Sequence, residues 1–366
     1  MTKLALASVD KVYGAAIALD GVSFSCGEGE FFSILGPSGA GKSTILKTVA
    51  GIVKPDAGRV VIDGKDVTGR PIQDRNVAMA FENYSLYPQM TVYENIAFPL
   101  RAPTRRQRLT RAEEERRVGH VAESLGIAPY LGRLPAQLSG GQRQRVSLAR
   151  AMVREPTVFL LDEPLAHLDA KLKFQTRTRL KQLTLEIGAT TLYVTHDFRE
   201  ALSLSDRILI LREGRVEQIG TPREIFDRPA SDFVAALVGD PPMNLVDGRL
   251  TRDGGRLAFE ADGGLTVALP EALAGAVDKV GRVRLGCRPG DLGVLRGEAG
   301  HGPRLPVYAV EHAAESSLVS FSLGGEQLIQ AQVPGRFDAA LGEPVAITFP
   351  TERLYLFQKT FELGEV

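Results

Sequence analysis

The most constraining stretch of this sequence is FFSILGPSGAGKST, residues 31–44, in which an apolar run passes directly into a glycine-rich loop. Residues Gly36 to Ser43 match the pattern G-x-x-x-x-G-K-[ST] at every defined position. Apolar runs such as this one alternate with stretches of helical period up to about residue 236, as in an α/β domain with a largely buried sheet. The stretch therefore predicts a strand, a loop and a helix within an α/β fold.

The loop has the composition of a phosphate-binding site. Glycines let backbone N–H groups curl around phosphate oxygens, and the helix beginning near Lys42 presents its positive end to them. Lys42 is predicted to reach the β- and γ-phosphates of a nucleotide, and Ser43 to ligand Mg²⁺. An accidental glycine-rich turn is the alternative, but it leaves the strand and the helical pattern on either side unexplained. The predicted nucleotide-binding residues of the loop are Gly36, Pro37, Ser38, Gly39, Ala40, Gly41, Lys42, Ser43 and Thr44.

A second apolar run, in TVFLLDEP at residues 157–164, ends in two acids. Asp162 is predicted to hold Mg²⁺ through its water shell, and Glu163 to act as the general base or to orient the attacking water. An acidic pair after a buried strand is also found at ordinary turns and helix caps. Beside a complete phosphate loop, the catalytic interpretation is favoured.

A second candidate phosphate site lies in LSGGQRQRVSLARA, residues 138–151. Gly140 and Gly141 allow close backbone approach, Ser139 offers a hydroxyl, and the following helical pattern supplies another positive N-terminus. With this loop, the chain resembles the ATP-binding subunits of ATP-binding cassette (ABC) transporters, for which it is the signature motif. The resemblance implies an ATPase that works as a dimer, with each ATP, and its Mg²⁺, between the phosphate loop of one subunit and Ser139, Gly140, Gly141 and Gln142 of the other.

The resemblance also assigns three isolated residues. Tyr13 matches the aromatic residue that stacks on adenine, Asp169 matches the acid of the loop joining the two sites, and His196 matches the histidine that contacts the γ-phosphate. Taken alone, Tyr13 is equally typical of an ordinary strand and His196 of a structural position.

Further segments resemble one branch of the family, the bacterial carbohydrate-type importers such as those for maltose and glycerol-3-phosphate. Residues 83–100, NYSLYPQMTVYENIAFPL, resemble the segment that receives the coupling helices of two membrane-spanning permease subunits. GCRPGDLGV and ERLYLF resemble the regulatory domain of the same subunits. This likeness implies import of a sugar, a polyol such as glycerol or a related solute. It also implies a peripheral position on the cytoplasmic face of the inner (plasma) membrane, and an indirect partnership with an extracytoplasmic solute-binding protein.

The sequence pattern changes after VGDPPMN. From there on, short segments of alternating apolar and polar residues are separated by glycine-rich turns. We therefore predict two domains. Residues 1–236 form an α/β P-loop nucleotide-binding domain with a helical subdomain at about 83–155. Residues 237–366 form an all-β, OB-like C-terminal regulatory domain, predicted to pack against its twin in the dimer.

Composition limits the alternatives. Lys+Arg and Asp+Glu both number 44, so the formal net charge is +0, which disfavours a nucleic acid partner. No stretch is long and apolar enough for a spanning helix, and the N-terminus lacks a signal-peptide pattern. The two cysteines, Cys26 and Cys287, match no disulfide or metal spacing. One competing function is a soluble ABC ATPase acting on DNA or ribosomes, but such a protein usually joins two cassettes in one chain. Another is a P-loop kinase, which leaves the signature motif unexplained.

Glu82 departs from the family pattern, because this position is normally glutamine. An ionised glutamate keeps an oxygen for Mg²⁺ and loses the NH₂ donor near the attacking water, so Glu82 is predicted to be both a metal ligand and a catalytic residue. AHLDA, which contains Asp169, also departs from the more usual SNLDA. We therefore hypothesise a non-identical ATPase partner that carries the glutamine. The alternative is a tolerated substitution in an ordinary homodimer.

Overall fold

The structure is a computed structural model, and it divides into two compact units, Met1–Glu224 and Ile225–Val366. It describes residues 1–81, 85–101, 109–154, 156–166, 170–253, 256–275, 282–295, 302–324 and 327–361. The division lies before the boundary predicted at residues 236 and 237. The reason is that Asp232 and Phe233 pack within the C-terminal unit: Asp232 pairs with Arg284 at 2.8 Å, and the Phe233 ring meets Phe361 edge-on.

The N-terminal unit contains a parallel sheet, an antiparallel sheet and a group of helices. Its strands are β1 (Thr2–Tyr13), β2 (Ala16–Gly27), β3 (Phe31–Leu35), β4 (Ala57–Ile62), β5 (Lys65–Asp66), β6 (Val77–Ala80), β7 (Val158–Asp162), β8 (Thr190–Thr195), β9 (Arg207–Arg212) and β10 (Arg215–Gly220). Its helices are α1 (Lys42–Ala50), α2 (Val92–Ala97), α3 (Arg111–Ser124), α4 (Gly140–Met152), α5 (Ala170–Ile187) and α6 (Phe198–Leu204).

The main sheet has the strand order β10-β9-β3-β8-β7-β6, parallel throughout except for β10 at one edge. Every residue of β3, β7 and β8 is buried, as expected for strands covered on both faces. One core cluster lies around α1 and includes Leu46, and another includes Ile96 of α2, Val121 of α3 and Val146 of α4. No helix in the described part of the chain has the length and apolar character needed to cross a membrane.

The strand register brings several loops to one edge of this sheet. Leu35 at the end of β3 pairs with Thr195 at the end of β8, and Asp162 at the end of β7 pairs with Val194. In parallel α/β sheets, ligands bind outside the carboxyl ends of the strands. The residues that follow β3, β7 and β8 are therefore placed where a site is expected.

The C-terminal unit is built mainly of strands. Its helices are α7 (Pro222–Asp227), which spans the division between the units, and α8 (Asp232–Leu237). Its strands are β11 (Asn244–Asp253), β12 (Arg256–Ala261), β13 (Thr266–Ala268), β14 (Arg282–Cys287), β15 (Gly293–Leu295), β16 (Arg304–His312), β17 (Ser316–Gly324), β18 (Gln327–Pro334), β19 (Pro344–Thr348) and β20 (Leu354–Gln358).

These strands form two five-stranded sheets, β13-β12-β11-β14-β20 and β15-β19-β16-β17-β18, each of antiparallel pairs. Apolar side chains of both sheets share one core, which includes Phe259, Leu285, Phe321 and Ile347. Buried and more exposed positions alternate along β17 and β18, because one face of each strand packs against this core. The predicted fold class, an α/β P-loop domain with helices followed by an all-β domain, is confirmed.

Candidate active site

The glycine-rich loop between β3 and α1 forms a backbone cradle. Gly41, directly before Lys42, has φ of 103°, a left-handed conformation that L-residues with a side chain rarely adopt. A Cβ on Gly41 would lie 2.3 Å from the carbonyl oxygen of Ala18, and a Cβ on Gly36 would lie 2.3 Å from that of Leu211. The loop thus fits only without these side chains. The first N–H groups of a helix have no intrahelical acceptor. The start of α1 therefore offers donors to an anion that binds in the loop.

Lys42 lies across this loop with its ammonium group satisfied by backbone. Lys42 is 6% exposed, and its Nζ donates to the carbonyl oxygens of Gly36 at 2.8 Å and Pro37 at 2.9 Å. A buried ammonium needs such acceptors. The same placement holds a positive charge at the cradle, where phosphate oxygens would accept from it.

Ser43 and Asp162 meet although they are 119 residues apart in sequence. Ser43 Oγ donates to Asp162 Oδ1 at 2.9 Å, and Asp162 is only 6% exposed. A hydroxyl and a carboxylate are oxygen donors of the kind that Mg²⁺ takes, and Mg²⁺ is commonly held by one or two protein groups together with substrate phosphates. Among the described residues no three His, Cys, Asp or Glu side chains cluster as an all-protein metal site. The Ser43 hydroxyl and the Asp162 carboxylate, as a pair of oxygen donors, fit a Mg²⁺ ion that also binds phosphates.

Glu163 and His196 form the next pair along the same edge. Glu163 has φ of 44°, and its backbone N–H donates to the carbonyl oxygen of Val194 at 3.0 Å. This left-handed turn at the end of β7 sends the carboxylate toward β8. There, His196 Nδ1 lies 2.9 Å from Glu163 Oε2. The glutamate side chain is 19% exposed and the histidine side chain 54%, so both reach solvent.

The signature loop forms the N-terminal cap of α4. Ser139 Oγ accepts from the backbone N–H of Gln142 at 3.3 Å, and Gln142 Oε1 accepts from the backbone N–H of Ser139 at 2.9 Å. This reciprocal capping box fixes the start of the helix. The Ser139 hydroxyl keeps its own O–H to donate to another acceptor, and Gly140 and Gly141, both half-buried, follow as the first residues of the helix.

The remaining predicted residues are less informative. Tyr13 ends β1 with 47% of its surface exposed, and Lys11 Nζ lies 5.4 Å from its ring centroid. Its ring is therefore open for stacking. Glu82 and Asp169, which the sequence assigned to metal binding and catalysis and to the nucleotide site, lie outside the described residues.

A buried acid, Glu200, lies close to His196 in the chain and was not predicted from the sequence. Glu200 is 3% exposed, and its Oε2 accepts from Tyr193 Oη at 2.7 Å and from Thr195 Oγ1 at 2.8 Å. The only local signal is an acid four residues after His196 that shares a helix face with apolar Leu204. That signal does not reveal its partners, which lie on a strand.

A second missed residue, Asn95 on α2, organises a surface loop. It is fully buried, and Nδ2 donates to the carbonyl oxygens of Tyr87, Met90 and Thr91 at 3.0 to 3.1 Å, while Oδ1 accepts from the backbone N–H of Tyr87. The loop thereby displays the Tyr87 ring, 4.6 Å from the ring of Phe98. Both rings are more than one third exposed, as suits a contact surface.

Comparison with known families supplies the class of the protein. Residues 19–166 match the family model described as "ABC transporter" and residues 239–292 match "MalK OB fold domain". The chain is 40% identical to the sn-glycerol-3-phosphate import ATP-binding protein UgpC 1 of Rhizobium johnstonii, over 98% of this chain and 94% of that protein. It is also 40% identical to the trehalose/maltose import ATP-binding protein MalK of Thermococcus litoralis, over 98% of both chains.

A solved structure agrees with these relatives. The dimeric post-hydrolysis state of the ATP-binding cassette MJ0796 bound to ADP and Pi is 34% identical and superposes with a TM-score of 0.56, covering 60% of this chain and 99% of that one. The chain therefore belongs to the family of ABC import ATP-binding proteins, in the branch with a MalK-type OB domain. It is an ATPase, as the sequence predicted, and it binds ATP.

Proposed function

We propose that this chain is the energy-coupling subunit of a bacterial importer for a sugar, a polyol such as glycerol or a related solute. The observation that carries the proposal is the hydrogen bond between Ser43 and Asp162, beside the Glu163–His196 pair. The four side chains follow three different strands and meet at one edge of the sheet. Phosphoryl transfer to water needs such a cradle, cation site and water-orienting group in one place.

The chemistry assigns one role to each side chain. Lys42 binds the β- and γ-phosphates within the loop, and Ser43 and Asp162 would hold Mg²⁺, Asp162 through its water shell. When bound, Mg²⁺ would neutralise charge on the phosphates. Glu163 orients a water molecule for attack and accepts its proton. With Nδ1 facing Glu163, His196 turns Nε2 toward a γ-phosphate oxygen.

The site is completed by a second subunit. Ser139 retains a hydroxyl proton to donate, and Gly140 and Gly141 form the N-terminus of α4, so this helix end offers donors for a phosphate group of the second subunit's nucleotide. The MJ0796 cassette, which is dimeric in its solved structure, supports the same arrangement. In this proposal the Gln142 backbone joins the second subunit's contacts, Tyr13 stacks on adenine, and Asp169 connects the two sites.

The membrane partners are two permease subunits, which contact the surface held by Asn95. Tyr87 and Phe98 present adjacent aromatic rings there, and the Arg150 guanidinium lies 5.5 Å from the Tyr87 ring centroid. Exposed aromatic residues beside an arginine are typical anchors of protein interfaces. The protein would then lie on the cytoplasmic face of the inner membrane and receive solute signals indirectly from a solute-binding protein. The two relatives serve import of sn-glycerol-3-phosphate and of trehalose and maltose, which supports the same class of solute here.

The C-terminal unit, which contains the predicted domain 237–366, serves assembly and regulation in this proposal by packing against its twin. The substitution of glutamate for glutamine at position 82 leads us to propose further that the second ATPase subunit is a non-identical chain. A homodimer that tolerates Glu82 is the alternative.

Two assays test the function. Purified protein should release phosphate from ATP only with Mg²⁺, and Lys42→Ala should abolish this release. The gene should restore growth on the matching solute in a bacterium that lacks either its sn-glycerol-3-phosphate or its trehalose/maltose import ATP-binding protein, whereas Lys42→Ala should not. Phosphate transfer to a sugar instead of water would indicate a kinase and contradict the proposal.

A further inference from the structure

A row of cations on α5 holds α6 along its length. Lys173, Arg177 and Lys181 lie four residues apart, so their side chains share one face of the helix. We call these three residues the cation row. Arg177 Nη1 lies 3.2 Å from Ser203 Oγ in the last turn of α6, and Lys181 Nζ donates to the carbonyl oxygen of Leu204 at its end.

Lys173 faces the start of α6, where His196 has just left β8. Its Nζ lies 3.5 Å from Glu200 Oε1 and 3.8 Å from Asp197 Oδ2. Asp197 directly follows His196 and caps α6 by accepting from the backbone N–H of Arg199. Lys173 therefore contacts two acids, Asp197 and Glu200, that closely follow His196 in the chain.

Glu200 connects this contact to the backbone around His196. Its carboxylate accepts from Thr195, the residue before His196, and Thr195 Oγ1 in turn accepts from the backbone N–H of Asp197, the residue after it. Burial and the Glu200 charge raise the pKa of Tyr193 well above its usual value, so Tyr193 remains a hydrogen-bond donor to Glu200. Hydrogen bonds thus hold the residues on both sides of His196, Thr195 and Asp197, in place.

An ionised carboxylate that is 3% exposed needs a cation as well as neutral donors. Lys173 is the cation beside it, and its side chain is 26% exposed. Losing Lys173 would leave Glu200 with an unbalanced buried charge, and the loop it holds would shift. The imidazole of His196 lies in that loop.

We propose that Lys173 and Glu200 are positioning residues for His196, and that Lys173, the member of the cation row in the first turn of α5, transmits a displacement at the start of this helix to the histidine. Asp169, assigned to the loop joining the two nucleotide sites, directly precedes α5 in sequence. Contact with the second subunit would then set the His196 geometry through α5 and α6. This inference rests on the proposed roles of His196 and Asp169 in ATP hydrolysis.

The test compares Lys173→Met with Lys181→Met in the full-length protein. Both lysines lie on α5, both have side chains 26% exposed, and both pair with an acid, but Lys181 pairs with Asp206 at the far end of α6. Lys173→Met should lower kcat between about 10- and 100-fold with KM within about twofold, because the misplaced group acts in the reaction step. Lys181→Met should keep kcat within about twofold, and Lys173→Arg should restore most of the activity.

A second measurement does not depend on turnover. The ring Cε1–Hε1 NMR signal of His196, identified by its loss in His196→Ala, should move in Lys173→Met and stay in place in Lys181→Met. If Lys173→Met does not fold, Glu200→Gln replaces it, since glutamine keeps an acceptor for Tyr193 and Thr195. An unmoved His196 signal, or equal losses of kcat in the two lysine variants, would overturn the inference. A moved signal with no ATP hydrolysis by the wild type would instead contradict the proposed function.

Discussion

Replacing Glu163 by glutamine removes the group assigned to activate water while preserving the shape of the site. Glutamine keeps an oxygen that can accept a hydrogen bond from His196 Nδ1, which lies 2.9 Å from Glu163 Oε2. The new residue takes the left-handed backbone conformation that Glu163 already has, with φ of 44°. Lys42 and the glycine cradle, which bind the phosphates, are unchanged. Substrate binding and chemistry should therefore separate in this variant.

The size of the effect follows from the role. Loss of a positioned general base lowers turnover about 10²- to 10⁴-fold, which corresponds to about 3 to 5 kcal/mol of activation free energy. The ATP dissociation constant should stay within about threefold, because the residue acts mainly in the transition state. The thermal midpoint should move by less than about 3 °C, since the partner His196 is half exposed.

The assay measures ATP affinity by calorimetry and steady-state phosphate release on the same preparation. Glu186→Gln is a matched control, because Glu186 also lies beside a histidine, His120, at 3.8 Å, with both side chains about 60% exposed. The control should hydrolyse ATP at the wild-type rate. Turnover by Glu163→Gln within tenfold of wild type would refute the assignment of Glu163 as the base.

Three further changes test other parts of the molecule. Gly36→Ala should weaken ATP binding at least about tenfold, because its Cβ meets a backbone oxygen at 2.3 Å, whereas Gly69→Ala, in open space, should not; ATP titration distinguishes them. Arg284→Met should destabilise the C-terminal unit by about 3 to 5 kcal/mol in chemical denaturation, because it leaves the fully buried Asp232 without its cation, and unchanged stability would contradict this. Glu82→Gln should raise the ATPase rate of the isolated protein, since it restores a donor and removes a negative charge near the γ-phosphate; an unchanged rate, with full transport by an importer containing only this ATPase, would favour the ordinary homodimer.

The sequence alone determined the fold class and the family, because the signals for both are local. A phosphate loop needs glycine at positions of close backbone approach, and Gly36 and Gly41 show that need within a single loop. The apolar runs of β3 and β7 predict strands buried on both faces. β3 leads directly into the glycine-rich loop, and β7 ends at Asp162. Residue types at fixed spacing were therefore enough to nominate the site.

Tertiary structure decided which of these residues meet. The pairing of β3 with β8, and of β8 with β7, places Ser43 against Asp162, and no local pattern contains that strand order. The role of Glu200 depends in the same way on partners from β8 and α5. The division within α7, ahead of α8, depends on Asp232 reaching a buried arginine of β14. Hydrogen bonds and ion pairs between distant segments form only when the chain is packed, so periodicity along the sequence carries no record of them.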